Sequence, residues 1–202
     1  MFERLNFAVD VAGRLTTSWP WYVTRASGLI AAALLVVLMI TGISIFTGYQ
    51  FKFMEPLKAW ANHRTLGIAF AIAVTVHVLS LLFDKFISFN IVQVLVPFAS
   101  QYKHVKLLGI SFGSFGVALG VISLYLVAAI VLTSITSIMS GSPKLWKWTH
   151  LMSYIVILAI FFHSIMIGTD LHKGIWRWTW IAVNIVILGF VVLRLSRTGS
   201  LD

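Results

Sequence analysis

The chain has 202 residues, of which 59% are hydrophobic and only 10% charged, with a mean hydropathy of +0.96 and a formal net charge of +9. A soluble domain carries about 25% charged residues, so the composition excludes an ordinary soluble protein and indicates a single bundle of membrane-spanning helices. The basic residues are scattered over short connections, not gathered on one face, which excludes a nucleic-acid surface and fits contact with anionic lipid headgroups. The absence of cysteine excludes disulfides, iron–sulfur clusters and thiolate chemistry.

Met1–Leu15 lacks the continuous apolar core and cleavage site of a signal peptide. Phe2, Leu5, Val9 and Ala12 recur at helical spacing, so residues 1–20 read either as an interfacial helix or as a flexible segment. A span of about 20 apolar residues is needed to cross the hydrocarbon core, and five such stretches follow, filling residues 21–195 of what reads as one domain over 1–202. The first runs from Trp21 to Phe46. The second covers His63 to Phe83, with its helix starting near Pro56. The third runs from Phe112 to Ile138, the fourth from Pro143 to Gly168, and the fifth from Ile175 to Leu195. The predicted fold class is therefore an all-α integral membrane protein built as a bundle of five transmembrane helices.

Local signals support these bounds. Ser142-Pro143 offers a capping hydroxyl before a proline that lacks only an unneeded amide hydrogen, and Glu55-Pro56 is similar. All eight tryptophans sit near span ends, where an indole suits the headgroup boundary. The long connection from Asp84 to Ser111 contains the apolar run Ile91–Ala99, too short to span and expected at the interface. Gly116 and Gly120 form a GxxxG in span three that allows close backbone packing. With Arg25 set aside inside span one, the connections carry seven basic residues on each side, so charge does not orient the bundle.

The chemistry lies in the histidines. Of six, His63 and His77 fall in span two, His150 and His163 in span four, and His104 and His172 in connections, where they read as solvated. An ionisable residue inside a membrane is costly and usually functional. The members of each pair are 14 and 13 residues apart, roughly 20 Å along a helix at 1.5 Å per residue. Spans two and four run in the same direction, so His63 is expected opposite His150 and His77 opposite His163. Facing imidazoles at one depth can hold a flat macrocycle from above and below, which predicts two haems stacked across the membrane.

The helical phase resists this arrangement in one place. Fourteen residues return within roughly 40° of the same face, but 13 miss it by roughly 140°. Span four must then be overwound or kinked, or its second histidine must approach from another side. Gly67, one turn after His63, removes bulk where a ring edge could approach. Arg25, Arg64 and Lys147 are expected to pair with haem propionates. Each of these has a plainer alternative, in helix packing for the glycine and interface anchoring for the cations.

At these residues the sequence resembles the ferric reductase-like transmembrane family, which includes the membrane parts of NADPH oxidases and ferric reductases. The matching stretches are Thr24-Arg25-Ala26-Ser27-Gly28-Leu29, His63-Arg64-Thr65-Leu66-Gly67 through His77, Val96-Pro97-Phe98-Ala99-Ser100, and Trp148-Thr149-His150 through His163 to Gly168-Thr169-Asp170. The resemblance implies two b haems on four histidines, with His63 and His150 on the inner one and His77 and His163 on the outer. It also implies an N-terminus outside and a C-terminus inside, with a bacterial plasma membrane as the expected location. The sequence carries no glycine-rich nucleotide fingerprint between a strand and a helix. Neither flavin nor nicotinamide is therefore expected on this chain. The expected partners are lipid, a separate flavoprotein or quinol as donor, and an acceptor on the outer side.

The leading function is thus a dihaem b-type cytochrome subunit, the electron-transfer part of an oxidoreductase. Two other classes compete. A proton-coupled transporter would use the histidines as a relay, but such relays work with intramembrane carboxylates, and all six acids lie in or next to connections. A structural or assembly subunit would tolerate degenerate haem sites, against which the four intact histidines argue.

Overall fold

The computed structural model of the protein describes residues 2–85, 88–102, 106–107, 110–111, 113–135, 141–171 and 174–198. Helix α1 spans Phe2–Phe46 and is followed by one three-residue-type turn, Tyr49–Lys52, and by α2, Pro56–Leu81. The long connection holds a short helix α3, Ile91–Leu95, and a two-residue antiparallel ladder of β1, Lys106–Leu107, with β2, Ile110–Ser111. Then come α4, Gly113–Ile135, α5, Pro143–Leu151, α6, Ser153–Ile167, and α7, Gly174–Thr198. Five segments are long and apolar enough to cross a membrane: Ser18–Phe46, Pro56–Leu81, Ser114–Ile135, Pro143–Ile167 and Gly174–Ser196. The protein is an all-α, multi-pass membrane protein.

The segment before Trp21 forms no separate element. It is helical from Phe2 and runs unbroken through Pro20 into the first span. A proline costs one main-chain bond, a loss a long membrane helix tolerates. The third span was expected to reach Ile138; its helix extends to Ile135, and residues 136–140 lie outside those described.

Two local expectations need correction. The Ser142 hydroxyl makes no capping bond; its main-chain carbonyl instead accepts from the Trp146 amide at 3.1 Å. Glu55 likewise caps nothing with its side chain, because its carboxylate pairs with Lys58 one turn on at 3.1 Å. Where a capping box does form, at the start of α3, it is between Asn90 and Gln93. Trp180 also departs from the aromatic belt. It is buried in the bundle, with its indole N–H donating to Ser164 Oγ at 2.8 Å. An indole can leave the headgroup zone once its one donor has a partner.

Helix α1 packs chiefly on α2, α4 on α6 and α5, and α7 on α1. Their shared core is Ala31, Leu35, Met39, Phe70, Ala73, Val127, Val156, Ile157, Ile187 and Val191. Large apolar side chains such as Ile72, Leu132, Ile185 and Leu193 point outward. Lipid tails are as apolar as the core, so association rests on packing and polar contacts between helices. Thr24 Oγ1 meets Ser80 Oγ at 2.7 Å, and Thr133 Oγ1 meets Thr149 Oγ1 at 3.0 Å.

This core fixes the depth of the site. On α2 it lies between His63 and His77, at Phe70 and Ala73. On the fourth span it lies between His150 and His163, at Val156 and Ile157. An apolar slab thus separates two histidine layers.

Candidate functional site

The fourth span is interrupted at Met152, two residues after His150. The Met152 amide donates to the Thr149 carbonyl at 3.1 Å, and the Ile155 amide to the Met152 carbonyl at 2.9 Å. Both bonds close three-residue turns, in which each residue advances about 120° instead of 100°. The span is therefore overwound between its two histidines, which recovers part of the angular deficit of a 13-residue spacing. His163 bonds across to α4, its Nδ1 2.8 Å from Gly116 O.

In the first layer, the rings of His63 and His150 have their centres 6.1 Å apart, with an interplanar angle of 54°. His63 Nδ1 lies 3.0 Å from Thr41 Oγ1 on α1. That hydroxyl already donates to the carbonyls of Val37 and Leu38, at 2.8 and 3.2 Å. Its oxygen is thus left to accept a hydrogen bond from Nδ1–H, which leaves the ring's lone pair on Nε2. His150 is held differently. Its ring packs on Trp146 at 5.1 Å, and its Nδ1 is buried with no partner among the described residues.

In the second layer, both histidines bond to main-chain carbonyls. His77 Nδ1 donates to Thr24 O on α1 at 2.8 Å, and His163 Nδ1 donates to Gly116 O on α4 at 2.8 Å. A carbonyl only accepts, so the tautomer is fixed and Nε2 carries the lone pair in both. The two side chains line one cavity of about 230 Å³, together with Gly28, Phe70, Gly120 and Val127.

Glycines give three of these rings their room. A Cβ at Gly42 would stand 3.2 Å from His63 Cε1, and one at Gly28 would stand 3.0 Å from His77. At Gly120 it would reach His163 Cε1 at 2.5 Å and Nδ1 at 2.6 Å. Gly28 and Gly42 are 14 residues apart on α1, the same interval as His63 and His77 on its antiparallel neighbour. Sequence reasoning missed this pair, because the equal spacing gains meaning only once the register of α1 against α2 is known. It had noticed Gly116 and Gly120 only as a packing motif. The structure sets the ring of His163 against that motif, with Met166 and Ile167 on Gly116.

The other predicted positions are dispersed. Gly67 is half-buried one turn beyond His63, and a Cβ there would meet nothing within 4 Å. Arg64 and Lys147 are exposed, at the end of the bundle that carries the first layer. Arg25 lines the second-layer cavity and forms a two-pronged ion pair with Asp170, its Nε 2.9 Å from Oδ2. Its guanidinium also lies over the Trp21 ring at 4.1 Å from the centroid. His104 and His172 lie outside the described residues.

Such an arrangement suits a metal bound between imidazoles. One metal atom at about 2 Å from each of two nitrogens would hold two ring centres roughly 6 Å apart, and the first layer stands at 6.1 Å. Fold and site together define a polytopic helical membrane protein with two histidine pairs, one at each end of an apolar core. The chain belongs to the ferric reductase like transmembrane component family, whose family model matches residues 27–162. Membership makes it a membrane electron-transfer component in general terms. No curated protein and no solved structure matches it.

Proposed function

We propose that the protein is a dihaem b-type cytochrome subunit that carries electrons across the membrane. In this reading the donor is a separate flavoprotein or a quinol on the inner side, and the acceptor lies outside. His63 and His150 hold the inner haem and His77 and His163 the outer, with the N-terminus outside. The carrying observation is the approach of His63 and His150 to 6.1 Å between ring centres. The glycine-lined space around three of the rings is the feature that a large flat ligand would exploit.

Bound there, haem would supply one-electron chemistry that no side chain of this chain offers. The protein's own part is to hold, orient and insulate. Thr41, Thr24 and Gly116 each anchor one Nδ1–H, which points Nε2 into the site and makes it a better donor atom. Phe70, Val156 and Ile157 keep the slab between the layers dry. Arg25 places positive charge at the rim of the second-layer cavity, where an anionic substituent could compete with Asp170 for it.

The test is a set of single substitutions, His63→Ala, His77→Ala, His150→Ala and His163→Ala, with haem counted on purified protein. Each is expected to lower the content by about one haem per chain. Retention of two haems by all four variants would show that the ligands are elsewhere.

A further inference from the structure

The two histidine layers differ in what holds the outer nitrogen of each ring. Both rings of the His77–His163 layer donate Nδ1–H to a main-chain carbonyl, each at 2.8 Å. In the other layer His63 meets a side-chain hydroxyl at 3.0 Å. That hydroxyl is shared with two carbonyls of its own helix. His150 has no partner at Nδ1 among the described residues. An acceptor on the N–H of a metal-bound imidazole pushes electron density onto the ring and makes it a stronger donor. A stronger donor pair stabilises the oxidised metal and lowers its potential.

We infer that these hydrogen bonds poise the two centres at different potentials. The His77–His163 centre is the lower, and Thr41 is the residue that sets the other. The inference rests on the dihaem reading above and adds to it an order of potentials and a positioning residue. Thr41 is the adjustable element because it is the only one of the three anchors whose acceptor is a side chain. The anchors at Thr24 and Gly116 are backbone atoms and survive any substitution. On the dihaem reading, the hop from the His63–His150 centre to the His77–His163 centre then runs uphill in potential, and it is drawn forward by the acceptor beyond it.

The experiment is a potentiometric titration of the purified holoprotein, followed in the visible b-type bands. Two one-electron components are expected. In Thr41→Val the higher component moves further up while the lower stays put. The reduced form at fixed ambient potential becomes favoured by up to about tenfold, or about 59 mV for one electron. Thr41→Ser, which keeps the hydroxyl, restores the original value; a purely structural role would not separate valine from serine in this way. Should the valine variant not retain haem, Thr41→Cys supplies a weaker acceptor and is expected to shift the same component in the same direction. His77→Ala and His163→Ala remove the lower component. Loss of the higher one instead, or an unmoved potential in haem-replete Thr41→Val, overturns the inference while leaving the dihaem reading intact. Protein that binds no haem at all would defeat the reading itself.

Discussion

Adding a single methyl group at each of four glycines gives a graded test of how the rings are packed. At Gly120 the new Cβ would lie 2.5 Å from His163 Cε1. Carbon atoms rest at about 3.5–4.0 Å, so the ring must retreat by roughly 1 Å. It is tied to Gly116 O at 2.8 Å, and a displacement of that size breaks the bond. Overpacking costs about 1–3 kcal/mol and the lost bond about 0.5–1.5 kcal/mol. Replacing a helical glycine by alanine returns roughly 0.5–1 kcal/mol. The net for Gly120→Ala is a loss of about 0.5–4 kcal/mol, centred near ~2 kcal/mol. At Gly28 and Gly42 the contacts are 3.0 and 3.2 Å, so a shift of a few tenths of an ångström suffices and the loss is smaller. At Gly67 nothing lies within 4 Å, so only the helix gain of roughly 0.5–1 kcal/mol remains. Thermal unfolding in detergent, followed by monodispersity on size exclusion, should rank the variants Gly67→Ala, Gly42→Ala, Gly28→Ala, Gly120→Ala from most to least stable. A Gly120→Ala protein as stable as the parent, or a Gly67→Ala protein below it, would refute the packing.

Other perturbations follow from the same contacts. Asp170→Asn removes the ion pair with Arg25, whose side chains are 32% and 30% exposed. The expected loss is therefore a modest ~1 kcal/mol or less, read as a small fall in melting temperature. Arg25→Lys is not expected to restore the pair fully, since the two-pronged contact and the stacking on Trp21 need a planar guanidinium. Trp180→Phe leaves Ser164 without its indole donor in a buried site and should cost about 1–3 kcal/mol. A melting curve unchanged from the parent would contradict that.

Much of this architecture was legible because the membrane leaves few options. Backbone polar groups must be satisfied within each span, so hydropathy and length locate five helices directly. Histidine spacing exposed the two layers and also the conflict in span four. What it could not give was where the conflict is resolved. Nothing in Leu151-Met152-Ser153 marks an overwound turn, because the turn is set by what His150 and His163 pack against. The same limit hid Gly28 and Gly42. A glycine becomes a ring cradle only once the neighbouring helix and its register are known. The Trp180 indole looked like a belt residue because its partner, Ser164, is 16 residues away on another helix. Arg25 could be singled out as a cation inside a span, but its pairing with Asp170, 145 positions on, is a product of the fold.

Cofactor content tests the central claim most directly. The protein would be purified in detergent after expression with adequate haem supply. A reduced-minus-oxidised visible spectrum would then be recorded and haem counted as the pyridine haemochrome. Sharp b-type bands and about two haems per chain are the predicted result. Protein that folds as a monodisperse bundle yet carries no haem would contradict the account and return the histidine pairs to a relay or structural role.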